Sequence, residues 1–117
     1  MGNIRTHKDL DVWNISMDLA LDLYSVTKNF PKEEIYGLTS QIRRSSVSVA
    51  SNIAEGAARG SKKEFIQFLY ISLGSLAELE TQLLLSAKLR YLNFEDVFSM
   101  IDKIRQMLLG LINYLRK

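Results

Sequence analysis

Apolar residues recur along this chain at helical spacing, in four blocks separated by short polar breaks. In the first block, Leu10, Trp13, Met17, Ala20 and Tyr24 follow a 3–4–3–4 spacing, with Val12, Leu19, Leu23, Val26 and Phe30 beside them. Asp11, Asn14, Asp18, Asp22 and Ser25 leave only a narrow polar stripe, so this helix is expected to be covered from more than one side. The spacing predicts a helix from about Asp9 to Asn29, ended at Phe30-Pro31 because the residue before proline avoids the α region. A second helix is expected from Lys32 to Arg59, with Glu33 and Glu34 favourable at its start. Ile35, Leu38, Ile42, Val49 and Ile53 set its register. The alternation in Ser46-Val47-Ser48-Val49 resembles a strand but is too short and lies inside that register.

Gly60 is expected to close the second helix as its C′ residue. Ser61-Lys62-Lys63-Glu64 has the form of a capping box, so a third helix starts at once. Its apolar face is Phe65, Leu69, Leu73, Leu76, Leu79 and Leu83, and it ends between Lys88 and Tyr91. Asn93 is the expected N-cap of a fourth helix, with Glu95 and Asp96 in its first turn. Phe94, Val97, Ile101, Ile104, Leu108, Leu111 and Leu115 form its stripe. Four amphipathic helices with short connections predict an all-α fold, an antiparallel up-down-up-down four-helix bundle spanning residues 1–117 as one domain.

The composition narrows the function classes. The chain has no cysteine and one histidine, His7, so no thiolate, Cys-based metal site or Ser-His-Asp set can be assembled. Phosphate-loop and dinucleotide motifs are absent, as is the Glu-x-x-His pair of a di-iron bundle. The expectation is therefore a protein that is not an enzyme and uses no cofactor or metal. Glu55 beside Asn52 is the best remaining catalytic candidate. No secretory signal is visible and no apolar run approaches the roughly 20 residues of a membrane span, which predicts a cytoplasmic protein without membrane contact.

Net charge is +2, with the basic excess in residues 32–64 and 88–117. Arg59, Lys62 and Lys63 cluster at the turn between helices two and three, and Lys103 and Arg105 mark the fourth helix. Such clusters can contact phosphates, although a charge run more often forms a solvated face. In the second helix, Arg43 to Gly56 is rich in small and hydroxyl side chains where a core helix would carry leucine. Ser45, Asn52 and Gly56 continue the buried stripe, and small residues there allow close helix approach. A hairpin turning at Gly60-Ser61 makes facing residue numbers sum to about 121. That register brings Gln41, Arg43 and Arg44 near Glu78 and Glu80, predicting a structural polar network that also includes Asn52, with direct phosphate contact by Arg43 and Arg44 as the alternative.

A family resemblance adds to this reading. Asp9-Leu10-Asp11-Val12-Trp13, Phe30-Pro31 with Glu34, and Tyr36-Gly37-Leu38-Thr39-Ser40-Gln41-Ile42-Arg43-Arg44 carry it first. Ser51-Asn52-Ile53-Ala54-Glu55-Gly56, Arg59, Glu64-Phe65, Phe68-Leu69 and Gly74-Ser75-Leu76-Ala77-Glu78-Leu79-Glu80-Thr81-Gln82 follow. With these the chain resembles the four-helix bundle proteins of the 23S rRNA intervening-sequence family. The resemblance implies a bacterial protein that assembles into a ring, a homopentamer. Members are often encoded within insertions in 23S rRNA genes. A branch related in fold, the accessory variability proteins of diversity-generating retroelements, binds nucleic acid and a reverse transcriptase.

Apolar residues off the main stripes, Ile15, Leu21, Tyr70, Leu85, Met100 and Met107, point independently to assembly. The expectation is a homo-oligomer associated with RNA or DNA, whose phosphate contacts come from Arg59, Lys62, Lys63, Lys103 and Arg105. The alternative is a scaffold whose ring docks a partner protein.

Overall fold

A computed structural model describes residues 6–93 and 96–117. The predicted roles of Phe94 and Glu95 lie outside the described residues, as do residues 1–5. Four α-helices form the body: α1 (Asp11–Thr27), α2 (Leu38–Ala57), α3 (Lys62–Lys88) and α4 (Asp96–Arg116). Short 3₁₀ turns at His7–Asp9 and Lys32–Glu34 precede α1 and α2. The molecule is a rod of 45 × 23 × 19 Å.

Contacts across the helices give their directions. Arg43 of α2 reaches Thr27 and Tyr24 of α1. Arg44, Ser48 and Val49 meet Glu78, Ser75 and Ser72 of α3. Glu80 and Tyr70 of α3 meet Arg105 and Arg116 of α4. Each neighbour in sequence is therefore antiparallel. One core runs the length of the rod, with Leu19, Leu23, Ile42, Ile53, Leu69, Leu76, Leu79, Leu83, Ile101, Ile104 and Leu108 all sealed from solvent.

α1 keeps one of its two apolar stripes inside and only part of the other, whose Leu10 and Ala20 are buried. Val12, Ser16, Leu19, Leu23 and Thr27 are buried, whereas Met17 and Tyr24 of the other stripe are about two-fifths exposed. Two adjacent apolar stripes identify an interior-facing helix but not which stripe the rest of this chain covers.

α2 starts six residues later than its hydrophobic spacing predicts. Glu34 ends the preceding turn and its Oε1 accepts from the Leu38 N–H at 3.1 Å, capping α2 from outside. Ile35 is consequently half-exposed rather than part of the core stripe. The other carboxylate oxygen of Glu34 accepts from Tyr91 Oη at 3.0 Å, tying the start of α2 to the end of α3. That hydrogen bond favours the neutral phenol and raises the Tyr91 pKa above its ordinary value, with burial and the Glu34 and Glu33 charges acting the same way.

The helix ends show local chemistry at work. Ser61 Oγ accepts from the Glu64 N–H at 3.1 Å, so α3 begins immediately after α2. Gly60 does not act as a left-handed cap, and no glycine among the described residues has positive φ. α2 instead closes on ordinary backbone bonds from Ala58 to Ala54 and from Arg59 to Gly56. The left-handed cap is at the end of α3, where Arg90 has φ 66°. Its N–H bonds to Ala87 O, and that of Tyr91 bonds to Ser86 O. A side chain there costs about 1 kcal/mol, so Arg90→Gly is expected to stabilise the fold by roughly 0.5–1 kcal/mol in urea unfolding. Unchanged or lower stability would show that the Arg90 side chain makes a compensating contribution.

Candidate nucleic-acid and assembly surfaces

The small-residue stretch of α2 lets it approach α3 closely. Ser45 and Ser46 are buried, and Ser72 of α3 donates to the Val49 carbonyl at 2.8 Å. Ser48 and Ser75 share a hydrogen bond of 2.8 Å, and the Asn52 amide donates to the carbonyl and hydroxyl of Ser48. Asn52 is thus turned along its own helix, and Glu55 one turn away is exposed.

The predicted six-residue network divides into separate contacts. Arg44 binds Glu78 at 2.8 Å and Gln41 at 3.3 Å. With side chains 59% and 45% exposed, the ion pair contributes about 0–1 kcal/mol. Arg43 points the other way. Its Nε donates to Thr27 Oγ1 at 2.9 Å, one Nη donates to Tyr24 O at 3.2 Å, and the guanidinium lies over the Tyr24 ring. Glu80 joins neither arginine but pairs with Arg105 of α4 at 2.7 Å, and Asp102 holds the same guanidinium. Consecutive helical positions differ by about 100°, so Arg43 and Arg44 face different neighbours, as do Glu78 and Glu80.

The five cations predicted to contact phosphate also fall into two groups. Arg59, Lys62 and Lys63 are exposed at the α2–α3 turn, where Arg59 stacks on Phe68 at 4.8 Å. Lys103 is exposed on α4, and Arg105 is half-buried and neutralised by its two acids. Arg105 sits level with Glu80, 18 residues along α3 from Lys62, which places the groups about 27 Å apart along the rod. Within one chain they do not form a single patch, and Arg105 is the weakest candidate of the five.

The apolar surface is more continuous than the sequence suggested. Trp13, Met17, Leu21 and Tyr24 of α1 and Val47, Ala50 and Ala54 of α2 line a groove of about 480 Å³, in which Leu21 is 68% exposed. On the opposite side of the bundle, Tyr70, Leu84 and Leu109 are each nearly half-exposed along α3 and α4. Leu85 is exposed as expected, whereas Ile15, Met100 and Met107 pack against the core. Met17 and Tyr24 fit a core stripe equally well by spacing, and Val47 stood only in the Ser46–Val49 alternation, so the sequence did not mark these three as surface.

These features define a small helical bundle protein with cations at an interhelical turn and unlike apolar faces on opposite sides. The chain belongs to the family of the 23S rRNA-intervening sequence protein, whose model matches residues 8–112. It is similar to a solved structure of a protein of unknown function from the S23 ribosomal protein family of Bacteroides thetaiotaomicron, with 25% identity and a TM-score of 0.77. That likeness covers 87% of this chain and 95% of the other. A search of curated proteins gave no match. Among the described residues, no helix is long and apolar enough to cross a membrane.

Proposed function

We propose that this chain is a non-enzymatic, cytoplasmic subunit of a homo-oligomeric ring, a pentamer in the form the family resemblance implies, that associates with RNA. The observation that carries the nucleic-acid reading is the cluster of exposed cations at the α2–α3 turn. Among the described residues Arg59, Lys62 and Lys63 there, and Lys103 on α4, are exposed and have no carboxylate within ion-pair distance. Repetition around a ring multiplies each weak cluster, and phosphate binding gains with every cation engaged. The family's link to 23S rRNA supports RNA as the nucleic acid.

Assembly is supported by the two apolar faces. They differ in composition and lie on different helix pairs, which suits head-to-tail contacts between unlike surfaces, the kind that forms a ring when the rotation closes. The α1–α2 groove also favours a second reading, in which it docks a partner protein. Binding that survives high salt and depends on Met17 or Leu21 would identify that case.

The test is binding of the oligomer to a structured RNA across a salt titration. The Lys62→Ala/Lys63→Ala variant is expected to bind more weakly and to flatten the log K against log salt slope by roughly 0.7–0.9 per lysine. An unchanged slope would remove these lysines from the interface, and no binding at low salt would favour the partner-protein reading.

A further inference from the structure

A second cleft lies where the C-terminal end of α1 meets the start of α2, with a volume of about 610 Å³. Lys28, Lys32, Arg43 and Arg44 line it together with Thr39 and Ser40, and none of its lining residues is acidic. Lys28, Lys32 and Arg43 have no ion-pair partner among the described residues, and Glu78 engages Arg44 from α3. The Arg43 guanidinium is held by the Thr27 hydroxyl and the Tyr24 carbonyl, which leaves other Nη donors unspent. Thr27 Oγ1 donates in turn to Leu23 O at 2.7 Å, fixing the acceptor that positions Arg43.

A second observation is independent of the charges. Thr39 is 6% exposed, and its Oγ1 has no hydrogen-bond partner among the described residues. Leaving a buried hydroxyl unmet costs about 1–3 kcal/mol, so such groups ordinarily have a partner. Thr39 and Ser40 occupy the first turn of α2, whose terminus the Glu34 carboxylate already caps at the Leu38 N–H, so the charge that holds an anion comes from the basic side chains of the cleft.

We infer that this cleft binds a phosphate group carried by a nucleotide, with Lys28, Lys32 and Arg43 supplying charge and Thr39 a hydrogen bond. The cleft is larger than a phosphate alone. Tyr24, Phe30 and Ile35 line the remainder and offer apolar surface to a sugar or base. The site rests on the RNA reading only for the source of the phosphate, a strand rather than a free nucleotide.

Calorimetric titration at low salt tests it with four probes: inorganic phosphate, a nucleoside monophosphate, and a short RNA oligonucleotide with and without a 5′-phosphate. Acetate is the anion control. Phosphate-bearing probes are expected to bind in preference to acetate. Thr39→Val is expected to weaken them about tenfold while leaving thermal stability equal or higher, because an apolar isostere replaces an unmet hydroxyl. Lys28→Ala/Lys32→Ala should weaken them at least as much, whereas Lys8→Ala, at the other end of α1, should leave inorganic phosphate binding unchanged. Tighter binding of the oligonucleotides than of the monophosphate supports a strand as the source. Equal binding supports a free nucleotide and overturns the strand.

Failure of every phosphate probe, equal binding of acetate, or full affinity in Thr39→Val would overturn the site. If structured RNA still binds in those cases, only the cleft is wrong. If the monophosphate binds and structured RNA does not, the RNA reading falls and the phosphate site stands.

Discussion

Replacing Gly56 with valine is expected to cost about 3 kcal/mol or more, because the volume it adds enters the closest approach of α2 to α3. A Cβ at this position would lie 2.7 Å from Phe68 Cβ, 3.0 Å from Phe65 Cδ1 and 3.3 Å from the Phe65 carbonyl. The first of these atoms cannot swing aside through a rotamer change, since it is attached to the backbone of α3. Relief requires the helices to separate, which loosens Ile53, Phe65 and Leu69 together. Gly56→Ala meets the same contacts but recovers about 1 kcal/mol of helix propensity, so its net loss is smaller. Gly74 supplies the control. A Cβ there meets nothing within 4 Å, so Gly74→Ala is expected to gain up to about 1 kcal/mol. Urea unfolding at one fixed protein concentration compares the three variants. A Gly56→Val variant as stable as the parent would mean that α3 yields at this crossing without cost.

How far the sequence revealed these features depended on whether local chemistry or global packing decides them. Ser61 with Glu64 marked the start of α3, because a cap is a contact between residues three apart. The hairpin register followed from that turn, and Arg44 meets Glu78 as the register predicts. The orientation of Arg43 was not legible. It depends on Thr27 and the Tyr24 carbonyl of α1, whose position relative to α2 no hairpin arithmetic supplies. The late start of α2 was hidden because Glu34 caps it through a side chain that reads equally well as a first-turn acid. The cleft beside Thr39 left the least trace. Lys28 and Lys32 flank Pro31 as ordinary surface residues, and only the return of α2 along α1 brings them to Arg43.

Leu21→Asp is expected to dissociate the assembly by placing a carboxylate in the α1–α2 groove, where the leucine is 68% exposed in the single chain. Burying that charge without a partner costs several kcal/mol, so at roughly 3 kcal/mol per interface association weakens by more than a hundredfold. Leu84→Asp is expected to do the same from the opposite side. Mixing the two variants separates a ring from a two-fold dimer. In a head-to-tail ring each contact joins one α1–α2 face to one α3–α4 face, so the mixture retains a single intact pairing and should form heterodimers and nothing larger. In a two-fold contact built from one face, only one substitution would matter and mixing would restore nothing. Light scattering after size exclusion reads the species. Trp13, the only tryptophan and part of the groove, should shift its emission to longer wavelength when that face becomes wet. A Leu21→Asp protein with the parent's mass would show that the groove is not an interface between copies, leaving it open to a partner protein.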